Sequence, residues 1–322
     1  MIPRLDIHFG IKRKFLWFFG KEYVPKENEL LLNHNRSGLI LALNALALPK
    51  GSKVGMMVYN CYTVMNAIWQ AGYEAVFIDV KNDLTIDLDD LARKSEGLSA
   101  LIVTHLFGSY SDIHSIKDIV PSIPIVEDCA HAYSNVRCGI HGDFAVYSIG
   151  AGKNPSIGDG GILKVNNQDY LQTTREKYST LPSASFFDNL KLFLALSAKS
   201  VLYHPCIYKV FTLRIKEKRR SDTIYKKTEQ FTKMAKGIRR IYGSTYCKSH
   251  YSDIPFMSVE FCDEPAKRRK DYLKLGIDTD THFKNCISWA KSFGYCSGDC
   301  PNAENLVNHL LMIPTYQNKQ QQ

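Results

Sequence analysis

Along residues 35–165, short apolar runs alternate with stretches of helical spacing. KVGMMVYN, EAVFIDV, ALIVTHLF, IPIVEDC and FAVYSIG are continuous and mostly β-branched, the pattern of strands buried on both faces of a parallel sheet. SGLILALNALAL, CYTVMNAIWQAGY, LDDLARKSE and DIHSIKDIV place their apolar residues three and four apart, which predicts helices. Pro49-Lys50-Gly51 stops the first of these. Such alternation predicts an α/β fold, a mostly parallel sheet with helices on both faces. Ligands of these sheets gather at the carboxyl ends of the strands. Asn60, His105, Asp128 and Ser148 all fall at predicted strand ends.

The pattern changes over 186–220, where an apolar stretch interrupted by Pro205 runs into a basic cluster. One or two amphipathic helices covering the core or a subunit interface account for it. A peripheral membrane contact, with Lys and Arg facing anionic lipids, is the sharper alternative. From about Gly237 the chain offers one strand (PFMSVEF), a basic helix (EPAKRRKDYLKLG) and a helix-to-strand stretch (AENLVNHLLMIP). The expected organisation is a large domain over 1–236, carrying the apolar and basic insert, and a small α+β domain over 237–322. The polar tail YQNKQQQ is expected to fray.

Composition narrows the function without choosing it. The net charge of +9 is spread over basic clusters at 11–14, 216–220, 226–227 and 267–270. None is interleaved with aromatic residues as nucleic-acid binders are, so nucleic acid is not an expected partner. Nine cysteines without a signal peptide read as reduced thiols of a cytoplasmic protein. The apolar run in IKRKFLWFFG is too short for a signal or a span. His282, Cys286, Cys296 and Cys300 match no common zinc spacing, so no metal is expected.

The chemistry concentrates at Lys153, in YSIGAGKNPSIGDGG. A phosphate-binding loop would need glycine at Tyr147 and Ser or Thr at Asn154, so that reading fails. What remains is an acid, Asp128, at the end of one strand and a lysine just past the next. This pairing suits pyridoxal 5'-phosphate (PLP), whose aldehyde needs an amine and whose pyridine nitrogen needs a carboxylate. Other readings of these residues are a surface lysine in a turn and a helix N-cap at Asp128, with Glu127 as the alternative acid.

GSKVGMMVYNCYTVMNAIWQAGYEAVFIDV, LIVTHLFGSYSDI, VEDCAHA, GDFAVYSIGAGK, the GDGG run and CPNAENLVNHLLMIP occur in this order over 33–165 and 255–314. Together they resemble the DegT/DnrJ/EryC1/StrS family of PLP-dependent sugar aminotransferases. The resemblance implies the type I (aspartate aminotransferase-like) fold and a homodimer with active sites at the subunit interface. It implies that Lys153 is the Schiff-base lysine and acid/base, and that Asp128 pairs with the pyridine nitrogen. It further assigns His131 to the phenolic oxygen, Ser148 to the phosphate, and Arg36 and Ser37 to a phosphate-binding turn. The implied reaction moves an amino group, with glutamate as donor, to a nucleotide-linked keto-sugar for surface polysaccharide or glycan synthesis. Two departures stand out. The aromatic that stacks on the cofactor ring is replaced at the equivalent position by Cys61, so either Tyr62 fills in or the platform is missing. The partner-contacting asparagine loop has no counterpart, its place being taken by the apolar and basic insert. A catalytically reduced relative acting as a binding or regulatory module is the alternative these departures raise.

Overall fold

The computed structural model describes residues 24–133, 135–150, 152–153, 159–183, 185–204, 206–208, 257–281 and 283–314, together with Lys14. Its elements follow the hydrophobic pattern closely. They begin with β1 (Glu29–Leu32), α1 (Asn35–Ala45), β2 (Lys53–Met57), α2 (Tyr62–Gln70), β3 (Glu74–Ile78), α3 (Leu88–Lys94) and β4 (Leu98–Thr104). They continue with α4 (Ile113–Ile119), β5 (Ile125–Asp128), β6 (Phe144–Ser148), β7 (Gly161–Val165), α5 (Leu171–Ser179) and α6 (Phe186–Leu202). The C-terminal part adds β8 (Ser258–Phe261), α7 (Pro265–Lys274), α8 (Cys286–Lys291), α9 (Pro301–His309) and β9 (Leu310–Ile313).

Seven strands form one sheet in the order β1-β7-β6-β5-β4-β2-β3. Strands β6, β5, β4, β2 and β3 pair in parallel, and only β7 runs against its neighbours, β6 and β1. The chain moves outward from β2 to β3, then returns across β2 to β4 and continues toward β5. With right-handed crossovers, that reversal places α2 and α3 on opposite faces of the sheet. It also creates a switch point between the carboxyl ends of β2 and β4, where the flanking loops diverge and leave a crevice.

Two glycines let α1 approach the sheet closely. A Cβ at Gly38 would lie 2.5 Å from Val146 Cγ1, and one at Gly161 would lie 2.6 Å from the Asn35 backbone nitrogen. The first turn of α1 is thereby pressed against the end of β6 and the start of β7, where Ser148 pairs with Gly161.

The C-terminal part shares the main hydrophobic core instead of standing apart from it. Cys286, Ala290, Tyr295, Ala303, Leu306 and Met312 belong to the same buried cluster as Val54, Met56 and Ile102. Asp79, just past β3, accepts backbone N–H bonds from Asn302 (2.9 Å) and Ala303 (2.8 Å) in the first turn of α9. This long-range cap satisfies orphan donors of that helix and pins it to the sheet. Strands β8 and β9 pair antiparallel as a separate two-stranded sheet. The expected domain boundary at 236/237, the basic stretch 211–227 and the tail lie outside the described residues.

Helix α6 opens with a capping box between Ser185 and Asp188. Of its residues only Leu196 is buried, while Phe187, Leu194 and Val201 are each more than half exposed. The helix expected from the sequence therefore forms, but it does not cover this chain's own core. No described helix is long and apolar enough to cross a membrane.

Candidate active site

The crevice at the switch point is a cavity of about 260 Å³ whose lining includes Arg36, Asn60, Cys61, Asp128, His131, Ser148, Lys153 and Phe283. Six of the eight residues singled out from the sequence thus meet in one place. The other two do not line it. Ser37 is buried and its hydroxyl donates to Asn33 Oδ1 at 2.7 Å, closing a local turn. Tyr62 packs edge-on against Trp289 (6.0 Å between centroids) and tilted against Phe293 (5.5 Å). The ring expected to fill in beside Cys61 is thus engaged with α8 and the turn after it.

Asp128 ends β5 and is buried. Its Oδ1 accepts from the Ala130 N–H at 3.1 Å and from Asn35 Nδ2 at 3.3 Å. Its Oδ2 accepts from the Thr104 hydroxyl at 3.4 Å, which in turn accepts from Asn60 Nδ2 at 2.8 Å. These bonds are long for a carboxylate. Burial accordingly raises the Asp128 pKa above its ordinary value, against the opposing pull of the Ala130 N–H, Lys153 and Asn35.

Lys153 follows β6 after a tight turn in which its N–H bonds to the Gly150 carbonyl at 3.1 Å. Burial lowers the pKa of its amine, partly offset by Cys61 and by the carboxylate of Asp128. A lowered pKa increases the neutral, nucleophilic fraction near neutrality. The pKa of Arg36, in the first turn of α1, is likewise lowered by burial, with Asp159 and Cys61 pulling the other way. The residue capping α1, His34, makes no side-chain cap bond and directs Nδ1 to Asp159 Oδ1 at 2.7 Å. Backbone donors of the helix start and the Arg36 guanidinium together suit an anion.

His131 Nδ1 accepts the Phe107 N–H at 3.3 Å, which leaves Nε2 as the donor nitrogen of the ring. The ring lies nearly parallel to Phe107 (24°, 5.4 Å) and to Phe283 (11°, 6.0 Å).

Several lining residues escaped the sequence reading. Asn35 and Thr104 touch Asp128 directly, and Asp159 pairs with His34. A signal existed for two of them. Asn35 heads the polar triplet before an apolar helix, and Asp159 stands in the GDGG run. Phe283, from the loop before α8, had none.

An amine, a buried carboxylate, an imidazole donor, a hydroxyl and an anion-binding helix start form the donor set of this cavity. The set fits a group that carries a carbonyl, a ring nitrogen and a phosphate, as PLP does.

Comparison with known proteins agrees. A model described as the DegT/DnrJ/EryC1/StrS aminotransferase family matches residues 19–183. GDP-perosamine synthase of Vibrio cholerae is 26% identical over 158 residues, spanning 47% of this chain and 43% of that protein. The spore coat polysaccharide biosynthesis protein SpsC of Bacillus subtilis is 28% identical over 338 residues, spanning 92% of this chain and 84% of its own. Among solved structures, the sugar aminotransferase CalS13 from Micromonospora echinospora superposes with a TM-score of 0.65 at 19% identity, covering 99% of this chain and 96% of that one. The match to GDP-perosamine synthase takes in less than half of that protein's length.

The fold is the type I scaffold that PLP-dependent sugar aminotransferases share, a mostly parallel seven-stranded sheet flanked by helices. The chain belongs to the DegT/DnrJ/EryC1/StrS aminotransferase family.

Proposed function

We propose that this chain is a PLP-dependent transaminase that moves an amino group, with glutamate as donor, to a keto group on a nucleotide-linked sugar. The observation that carries the reading is the meeting of Lys153 and Asp128 in one cavity, each within electrostatic reach of the other. When bound, PLP supplies an aldehyde and an electron-accepting ring that acidifies the Cα–H of an attached amino acid.

The residues divide the remaining work. The Lys153 amine would hold the cofactor through its aldehyde and would serve as the acid/base that takes and returns the proton at the donor's Cα. The Asp128 carboxylate keeps the pyridine nitrogen protonated, and Asn35 and Thr104 orient it. His131 Nε2–H donates to the phenolic oxygen. Ser148, Arg36 and the start of α1 hold the phosphate.

The sugar substrate and the polysaccharide purpose rest on the relatives' names, one a GDP-perosamine synthase and one a spore coat polysaccharide biosynthesis protein. The exposed apolar face of α6 supports a homodimer, and the thiols, free wherever they are described, support a cytoplasmic setting.

The test is a visible absorption spectrum of the purified protein with added PLP, beside Lys153→Ala. A protein-bound cofactor band that is absent in the variant and bleaches when glutamate is added is the expected result. A well-folded wild-type protein without such a band would overturn the reading in favour of a non-catalytic binding module.

A further inference from the structure

Beyond the groups already given a role, the molecule carries an exposed apolar face on α6, a buried His105–Glu127–Cys129 cluster and an aromatic wall in the cavity. Glu127 already accepts four hydrogen bonds, so that cluster is filled by the protein itself. The basic stretch that would give α6 its charge complementarity lies outside the described residues.

At the end of β2, where an aromatic platform would face the ring, the chain has Cys61, a small thiol at the start of α2. Its hydrogen-bonding neighbour is the Thr63 hydroxyl at 3.1 Å. Tyr62, the next residue, is engaged with Trp289 and Phe293. Yet the cavity does have an aromatic wall. Phe283 lines it together with Asn60, Cys61 and His131, arriving from a different part of the chain.

Phe283 is held firmly. Tyr59, buried three residues before Tyr62, meets it edge-on at 5.7 Å and 77°. Phe107 lies 6.3 Å away, and the His131 ring is nearly parallel at 11°. Its backbone sits at φ 56°, a conformation that bulky residues rarely adopt and that persists only where the surroundings impose it. Its carbonyl accepts the Cys286 N–H at 2.8 Å, at the start of α8, and Cys286 is itself fully buried. The Asp79 cap on α9 fixes the same C-terminal part to the sheet.

We infer that Phe283, braced by Tyr59, Phe107 and His131, is the aromatic wall of the cofactor site and takes over the ring-packing role that Cys61 does not fill. The inference rests on the proposed PLP function. It couples cofactor binding to the docking of the C-terminal part, because the wall is delivered by that part and not by the sheet.

The test is the PLP dissociation constant, measured by quenching of intrinsic fluorescence and checked by equilibrium dialysis. The proteins are wild type, Phe283→Ala, Phe283→Tyr, Cys61→Phe and the double variant Cys61→Phe/Phe283→Ala. Losing one aromatic contact is expected to weaken PLP about tenfold in Phe283→Ala, while Phe283→Tyr stays within about twofold. Cys61→Phe should recover much of the loss in the double variant, because it restores an aromatic ring at another position of the same lining. Should Phe283→Ala fail to fold, judged by its thermal transition, Phe283→Leu keeps the bulk and removes only the ring, and the same loss is expected. Unchanged PLP affinity in a folded Phe283→Ala or Phe283→Leu would overturn the inference and leave the proposed function standing, even if the sugar KM rises. Absence of PLP binding in the wild type would overturn the proposed function, and this inference with it.

Discussion

Two consecutive carboxylates at the end of β5, Glu127 and Asp128, are equally buried and behave in opposite ways. Glu127 accepts from His105 Nε2 at 2.8 Å and from the N–H groups of Gly139, His141 and Gly142 at 2.7, 2.8 and 2.6 Å. Burial pushes its pKa up, but His105 and these backbone donors outweigh it and hold the acid below its ordinary value. Asp128, facing the cavity, has fewer and longer bonds, and burial wins. Successive residues of a strand point to opposite sides of a sheet. One side here is satisfied by the fold; the other is kept short of donors. Under the proposed function, a protonated ring nitrogen would stabilise a carboxylate left in that condition, which gives Asp128 a part in cofactor binding and Glu127 a part in the fold.

The comparison can be broken from several sides. The largest effect is expected from Lys153→Ala, which removes the amine facing Asp128. Transamination should fall by roughly 10³–10⁴-fold in single-turnover measurements, with folding preserved. Glu127→Ala should act on stability instead. It strands four donors around a buried site and should cost about 3 kcal/mol or more in urea unfolding.

Asp128→Asn is expected to slow the reaction by about 100-fold, because a neutral amide does not hold the ring nitrogen protonated. In the absence of cofactor the same variant should melt at or slightly above the wild-type temperature, since it removes a charge that burial disfavours. The smallest effect is the pH dependence of the cofactor-free protein. Glu127, with its folded pKa depressed, contributes stability above its unfolded pKa that is lost as pH falls through the folded value. Asp128, with its folded pKa raised, works in the other direction: its penalty is present at neutral pH and relieved as pH falls through that raised value. Acid titrations of Glu127→Gln and Asp128→Asn should therefore depart from wild type with opposite slopes.

Much of this arrangement was legible in the sequence because it depends on local pattern. The five parallel strands announced themselves as continuous apolar runs, and Asp128, Ser148 and Lys153 fell at or just past their ends. Strands β1 and β7 did not. ELLL is only four residues long, and GILKV carries a lysine, so neither reads as a buried strand without its antiparallel partner. What the sequence could not separate was Glu127 from Asp128, because only the pleat and the loop at 139–142 decide which acid is satisfied. Nor could it show Phe283 in the cavity or Asp79 capping α9. Both contacts join positions more than 120 residues apart, and nothing local encodes them. Tyr62 misled for a related reason: its neighbour in the sequence lines the cavity, but Trp289 and Phe293 claim its ring.

The most direct measurement sets Glu127→Gln and Asp128→Asn side by side, following thermal unfolding without cofactor and the glutamate-induced bleaching of the bound-PLP band in each. The account expects Glu127→Gln to melt well below wild type yet still bleach, and Asp128→Asn to melt at or above wild type yet bleach about 100-fold more slowly. If Asp128→Asn were the unstable variant and Glu127→Gln the one that fails to react, the roles assigned to the two acids would be reversed.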